Sequence, residues 1–380
     1  MLTVGVLRET APGETRVALV PDDVARVRAL GADVLVEPGA GTGSGHDDAS
    51  YAGAGADVCS RARVWSTSDV VLCVGPPAWP RGPRRRSRVL LGLIDTASHP
   101  DWVAAAARTG STVLSLDGVP RTLSRAQPLD ALTSQANVAG YKAALLAAST
   151  YPGFFPMLMT AAGTVRPAEV LVLGAGVAGL QAMATARRLG ALVTGWDVRA
   201  AAREDLAATG AAVLDLAAEE GSGDGGYARE LTGDEGSRLR TQLALAVPRF
   251  DVVIATARVP GRPAPLLVGE DALAQMRRGS VVVDLAAGRK GGNVAGSVDG
   301  LVSVTPGGVT VVGAASLERT VPRAASAALS RNLAAALKHL VPDGTLHLDP
   351  QDEITAGLLV CCGGALVRPG LDTTHRRRAS

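Results

Sequence analysis

The chain has 380 residues, 47% hydrophobic and 19% charged, so it can bury substantial cores in roughly two to three domains. Its net charge of +2 excludes a global electrostatic field that would draw nucleic acid. Aromatics make up only 3%, leaving Ala, Gly and Val to fill the interior, which suits close packing of helices on sheets.

In chain order, "TVGVL" (3–7) reads as a strand. "PDDVARVRALG" (21–31) has Pro at its start, acids in its first turn and Gly at its end, the marks of a helix. "ADVLVE" (32–37) is the next strand, followed by a helix around "DDASYAGAGA" (47–56). Strands "DVVLCVG" (69–75) and "RVLLGLI" (88–94), the helix "PDWVAAAARTG" (100–110) and the strand "STVLSLDG" (111–118) complete this series. Between two of these strands, "PPAWPRGPRRRSR" (76–88) is expected to be a solvated surface loop. The polar stretch "RTLSRAQPLDALTSQ" (121–135) then leads into "LTSQANVAGYKAALLAAS" (132–149), a strong helix pattern that ends before the proline-broken "YPGFFPM" (151–157).

A second strand–helix series begins at "EVLVLGAGVAGLQAMATARRLGALVTGWDVRA" (169–200) and continues through "AAVLDL", "FDVVIATA", "SVVVDLAA" and "VTVVG". "RAASAALSRNLAAALKHLV" (323–341) reads as another long helix. Short apolar strands alternating with helices imply an α/β fold with doubly wound parallel sheets. The two long helices suggest that the chain leaves a first lobe, builds a second and returns. The expected architecture is two Rossmann-like domains joined by long helices with a cleft between them. One is discontinuous, 1–132 plus 322–380; the other, 133–321, carries the nucleotide motif. The tail "THRRRAS" is expected to be disordered.

In that motif Gly174, Gly176 and Gly179 follow a strand and open a helix. The first permits a tight turn, the second lets backbone approach a pyrophosphate, and the third lets helix pack on strand. The helix N-terminus offers free N–H groups to phosphate. Asp197 ends the next strand, where an acid holds the adenosine 2′-hydroxyl and repels a 2′-phosphate. The preference is for NAD(H), although Arg199 lies two residues on. A second glycine cluster, "GAGTGSGHDD" (39–48), has no helix and no acid at the right distance and reads as a flexible turn.

Cys59, Cys73, Cys361 and Cys362 make no C-x-x-C and no zinc spacing, so the chain reads as reduced and cytosolic. There is no signal pattern and no apolar run near the ~18 residues that span a bilayer. The histidines are His46, His99, His339, His347 and His375, and none stands beside a nucleophile in sequence. His99 reads as a residue of a helix N-terminal turn. A nicotinamide site with no convincing acid–base partner suits a reaction in which no proton moves, such as hydride passing from one nicotinamide to another.

Seven segments together resemble one family: "GVLRETAPGETRVALVP", "SRAQPLDALTSQANVAGYKA", "LVLGAGVAGLQAMATARRLGA", "GWDVRAA", "GGYARE", "IATARVPGRPAP" and "DLAAGRKGGN". They are similar to the NAD(H)-binding component of proton-translocating nicotinamide nucleotide transhydrogenase, over nearly the whole chain. The resemblance implies a homodimer with NAD(H) in the cleft of each protomer. It also implies partner subunits, one carrying NADP(H) and others spanning the membrane, so that this chain is cytoplasmic and peripherally held. Because no membrane helices follow in the sequence, the split arrangement of separate subunits is expected.

The resemblance assigns Arg121, Gln127, Asp130 and Thr133 to a polar loop beside the nicotinamide, with Gln127 orienting the carboxamide. Tyr227 matches the tyrosine of a loop that closes on NAD(H). Gly174, Gly176, Val177, Ala178, Gly179, Asp197, Val198, Arg199, Thr256, Ala257 and Asn293 fall to the cofactor site. On spacing alone, Arg121 and Asp130 could be a surface pair and Thr133 a helix N-cap. The chain departs from the family pattern at Pro128, at Thr133, in an insertion that adds Arg289 and Lys290, and across 316–323. Alanine dehydrogenase shares the architecture and Arg16. It would require a lysine after "VVLCVG" and a histidine near "LGLID", where this chain has "GPPAW" and Asp95. A third reading is an NAD-binding regulator without catalysis.

Overall fold

The computed structural model describes residues 1–79, 88–216, 221, 229, 232–258, 263–288 and 291–368. The chain forms two compact units, Met1–Gln135 with Val321–Ser380, and Ala136–Thr320.

The first unit holds an eight-stranded sheet whose central strands are parallel, with Leu2–Val6 paired to Ala32–Val36 on one side and to Val70–Cys73 on the other. Asp57–Val58 lies beyond Ala32–Val36, while Val89–Gly92 and Thr112–Ser115 extend the opposite side. The chain therefore winds outward in both directions from Leu2–Val6, the doubly wound pattern expected. The strands Val70–Cys73, Val89–Gly92 and Thr112–Ser115 are buried throughout, which is why they read as unbroken apolar runs. Each fully buried Val or Leu contributes roughly 1.5–3 kcal/mol, so these short strands carry much of the unit's stability.

Two features of this sheet were not expected. Leu359–Cys362 adds antiparallel to Thr112–Ser115, and Ala365–Leu366 adds antiparallel to that, so the C-terminal segment closes the sheet's edge. The described ends of the run 76–88 are packed rather than solvated. Trp79 stacks on Trp102 with centroids 5.3 Å apart and tilts against Trp65 at 6.2 Å. Arg88 is buried and lies 5.4 Å over the Trp65 ring. A parallel crossover must cover its face of the sheet. Here Trp79 provides that cover, packed among the residues of the core that contains Val71, Leu90 and Trp65. Residues 80–87 of the run lie outside the described residues, as does the tail from 369.

The second unit holds a seven-stranded sheet in the order Ala212–Val213, Leu192–Trp196, Glu169–Leu173, Val252–Ala255, Val281–Asp284, Thr310–Gly313, Val302–Val304. All neighbours are parallel except the last pair. The "YPGFFPM" region leads into a small antiparallel hairpin, Leu158–Thr160 with Gly163–Val165.

The crossing helix Ala131–Thr150 begins in the first unit and continues in the second. The returning helix Pro322–Leu340 starts with Pro at its first position, where a missing N–H costs nothing. It buries Ala325, Leu329, Leu333, Ala336 and Leu340, the spacing of one helical stripe. No helix among the described residues is long and apolar enough to cross a membrane.

Candidate functional site

In the second unit the sheet order reverses between Glu169–Leu173 and Val252–Ala255. Such a switch point opens a crevice at the C-terminal ends of the strands. Gly174 turns the chain there with φ +104°, a conformation side chains rarely adopt, and a methyl group at that position would meet Thr256 Oγ1 at 2.7 Å. Thr256 Oγ1 lies 3.1 Å from the Gly174 carbonyl oxygen and 3.2 Å from that of Leu173, within donating reach of either. A methyl at Gly179 would overlap the carbonyl of Gly174, so the helix Val177–Arg188 packs as closely as its backbone allows.

Gly176 differs from both. Nothing lies within 4 Å of where its side chain would be, and it caps the helix without any side-chain bond to the first turn. Open space in front of the uncapped N–H groups of Val177 and Ala178 fits a pyrophosphate. Each glycine thus has a different physical constraint, two steric and one spatial.

Asp197 follows the strand Leu192–Trp196 and is buried. Its Oδ2 accepts from the N–H of Ala175, inside the glycine turn, at 2.7 Å. Arg199 donates to it from the backbone N–H at 2.9 Å, from Nε at 2.9 Å and from Nη2 at 3.0 Å. A carboxylate offers about four lone-pair sites, and all are used. A ribose diol fits here only as the Arg199 side chain yields.

Val198 lies between these residues, and its carbonyl accepts from the N–H of Gly221 at 3.1 Å. Gly221 in turn accepts from the N–H of Arg229, whose guanidinium pairs with Glu235 at 2.8 and 2.9 Å. Tyr227 lies outside the described residues, as do Arg289 and Lys290.

Asn293 is fully buried and donates from Nδ2 to the carbonyls of Ala257 and Pro265 at 2.9 and 2.7 Å, tying two loops at the switch point together. Its Oδ1 has no partner. Asp284, at the end of its strand, is fully buried and accepts from Ala286 N–H, Val294 N–H and Ser297 Oγ–H. Burial pushes its carboxyl above the usual range despite those bonds. It was not anticipated from the sequence.

In the first unit, residues 121–135 form a structured corner. A 3-10 helix, Ser124–Leu129, runs into the crossing helix through Asp130. Asp130, not Thr133, caps the crossing helix, because its Oδ1 accepts the N–H of Thr133 at 2.9 Å. Asp130 Oδ2 also takes Arg121 Nε at 2.9 Å and Thr133 Oγ1 at 2.6 Å, and Arg121 Nη2 donates to Thr133 Oγ1 at 2.8 Å. The three side chains form a closed triangle. Arg121 is a third exposed, so the ion pair contributes only about 1 kcal/mol or less. Its main effect is geometric. Gln127, on the 3-10 helix, is exposed.

The switch point of the first unit, between Leu2–Val6 and Val70–Cys73, is occupied by charged side chains of the segment "GVLRETAPGETRVALVP", to which the sequence reading assigned no site role. Glu9 Oε1 accepts the N–H of Val74 at 2.6 Å. Burial and the nearby Glu14 push Glu9 up to about 7, against the pull of the Val74 bond. Glu14 binds Arg16 through both oxygens at 2.8 and 2.7 Å, and Arg16 Nη1 donates to Gln135 Oε1 at 2.9 Å. The usable signal was three charges, Glu9, Glu14 and Arg16, placed between an apolar strand and an apolar segment.

Two family models match the chain, alanine dehydrogenase/PNT, N-terminal domain, over residues 5–139, and alanine dehydrogenase/PNT, C-terminal domain, over residues 143–369. The NAD(P) transhydrogenase subunit alpha of Cereibacter sphaeroides is 40% identical across 97% of this chain and 71% of its own length. In Rhodospirillum rubrum, the first of the chains into which NAD(P) transhydrogenase subunit alpha is divided is 38% identical across 97% of this chain and 99% of its own. The crystal structure of transhydrogenase from Sinorhizobium meliloti superposes with a TM-score of 0.86 at 40% identity, covering 96% of this chain and all of that one. The chain therefore belongs to the alanine dehydrogenase/PNT family and is homologous to the alpha subunit of NAD(P) transhydrogenase.

Proposed function

We propose that this chain is the NAD(H)-binding subunit of a Re/Si-specific, proton-translocating NAD(P) transhydrogenase. It binds NAD(H) on the glycine turn of its second unit and passes hydride to or from NADP(H) held by a partner subunit. The supporting observation is the closed triangle of Arg121, Asp130 and Thr133. The one carboxylate in that loop is committed to a helix cap and an ion pair, so it is unsuited to take a proton. Transfer between two nicotinamides moves a hydride and its electron pair from one ring carbon to another, and no proton needs an acceptor.

The bound dinucleotide supplies the hydride chemistry. The chain's residues supply position. Val177 and Ala178 offer N–H groups to the pyrophosphate, Asp197 holds the ribose, and Gln127 orients the carboxamide. Arg121, Asp130 and Thr133 keep the loop in one shape. Positioning of this kind supplies roughly 7 to 11 kcal/mol of a barrier when the geometry is right.

Partner chains carry the membrane spans and hold this one at the cytoplasmic face. A homodimer is supported by the apolar side chains exposed near the hairpin, Phe154, Met157, Met159 and Val165.

An alanine-dehydrogenase-like activity is disfavoured because the chain has "GPPAW" and Asp95 where that activity requires a lysine and a histidine. Two assays test the reading. Titration should show NADH binding in preference to NADPH, and comparable affinities would remove Asp197 from its role. Steady-state assay with alanine and NAD+ should show no turnover; measurable alanine oxidation would replace the transhydrogenase reading with the dehydrogenase one.

A further inference from the structure

The returning helix Pro322–Leu340 is more than apolar cover. On its buried side it carries Ser326, Ser330 and Asn332. Ser326 accepts the N–H of Val17 at 3.0 Å. Ser330 accepts the N–H of Val20 at 3.1 Å and donates to Asp23 at 2.6 Å. Asn332 turns instead to the corner that holds the candidate nicotinamide loop. Its Nδ2 donates to the carbonyl of Pro128 at 2.8 Å, and its Oδ1 accepts from Ser134 Oγ at 2.7 Å. Nearer the start of the same helix, the Ala325 carbonyl accepts Gln135 Nε2 at 3.0 Å.

Pro128 and Ser134 stand on either side of the corner. Between them lie Asp130 and Thr133, and Gln127 immediately precedes Pro128. A single planar amide fixes the separation and the relative orientation of both anchors. Only a side chain with one donor and one acceptor face can do this. Asn332 is 8% exposed and its two bonds are partly buried, so losing either leaves a largely desolvated group without its partner.

We infer that Asn332 is a positioning residue for hydride transfer. It pins the corner from behind, and so fixes where the Arg121–Asp130–Thr133 triangle and Gln127 point, without touching the cofactor. This rests on the reading that the loop serves the nicotinamide. Its signature is a slowed hydride-transfer step with unchanged NADH affinity, because the glycine turn belongs to a different unit from the corner.

The test compares Asn332→Asp with Ser330→Ala in the full chain. The first keeps the shape and the acceptor for Ser134 but turns a lone pair on the Pro128 carbonyl. The second removes bonds of the same helix that are more deeply buried and do not reach the loop. NADH affinity, thermal midpoint and single-turnover hydride transfer to NADP+ on a transhydrogenase NADP(H)-binding domain are measured for each. Both variants should lose thermal stability and keep NADH affinity, but only Asn332→Asp should slow transfer, by about ten- to a hundredfold.

Equal rates for the two variants, whether both normal or both slowed, would overturn the inference. If Asn332→Asp does not fold, Ser134→Ala cuts the same clamp from the other end. It should also slow transfer with NADH affinity kept, and a normal rate would overturn the inference. A wild-type chain that transfers no hydride would overturn the functional reading and this assignment with it, whereas a normal wild-type rate beside a normal Asn332→Asp rate sinks only the assignment.

Discussion

The two units share one architecture and use its switch point in opposite ways. In Ala136–Thr320 the crevice between Glu169–Leu173 and Val252–Ala255 is edged by Gly176, with open space before an uncapped helix. In the first unit the equivalent crevice, between Leu2–Val6 and Val70–Cys73, is occupied by Glu9, with Glu14, Arg16 and Gln135 linked beside it. One doubly wound sheet keeps open space before its glycine turn while the other places its own charges at the equivalent point. The fold sets where a crevice occurs, and the side chains at the strand ends decide whether it binds.

This contrast can be broken at Gly179 and Gly176. Gly179→Ala drives a methyl into the Gly174 carbonyl and should cost about 1–3 kcal/mol of stability and abolish NADH binding. Gly176→Ala meets nothing, so its thermal midpoint should stay near wild type while NADH affinity falls roughly tenfold, or about 1.4 kcal/mol. Calorimetry and a fluorescence titration on both variants check the pair. Equal thermal losses would mean that the steric account is wrong.

Next in size is Gln127→Asn, which shortens an exposed side chain and should slow hydride transfer about tenfold with nearly unchanged NADH affinity. A normal single-turnover rate would remove Gln127 from the site.

The charged crevice gives a pH prediction. Glu9 is raised from 4.5 to about 7 on folding. Between those values the unfolded chain has released its proton and the folded chain retains it. Stability therefore falls as pH rises through that window and is level on either side of it, with a total of up to about 3 kcal/mol. Glu9→Gln should flatten this slope in urea unfolding measured from pH 4.5 to 7. An unchanged slope would assign it to another group. The smallest effect is expected from Arg199→Ala, which frees Asp197 for the ribose and should raise the preference for NADH over NADPH about severalfold in competitive titration.

Much of the molecule was legible before the structure. The central strands are buried on both faces and read as Val- and Leu-rich runs, and the glycine turn is legible because a strand, a helix and Asp197 flank its spacing. What escaped depends on partners distant in sequence. Ser326 sits in a helical stripe, and nothing local says that it serves Val17, 309 residues away. Asn332 is equally silent until Pro128 is beside it. Thr133 reads as an N-cap because several capping residues cluster between 130 and 134, and only geometry selects Asp130. Trp79 was hidden in a proline- and arginine-rich run, where composition argues for solvent and a single ring argues for packing. The hairpin of Leu359–Cys362 with Ala365–Leu366 was missed although Gly363 and Gly364, both at positive φ, mark its two-residue turn.

The central claim is that one unit holds NAD(H), the other steadies the nicotinamide end, and hydride leaves for a second nicotinamide. It is tested most directly by mixing this chain, loaded with NADH, with a transhydrogenase domain loaded with NADP+ and following NADPH formation in a single turnover. The account predicts rapid NADPH formation that requires both proteins. NADH binding with no NADPH formed would contradict it and leave the chain an NAD-binding regulator.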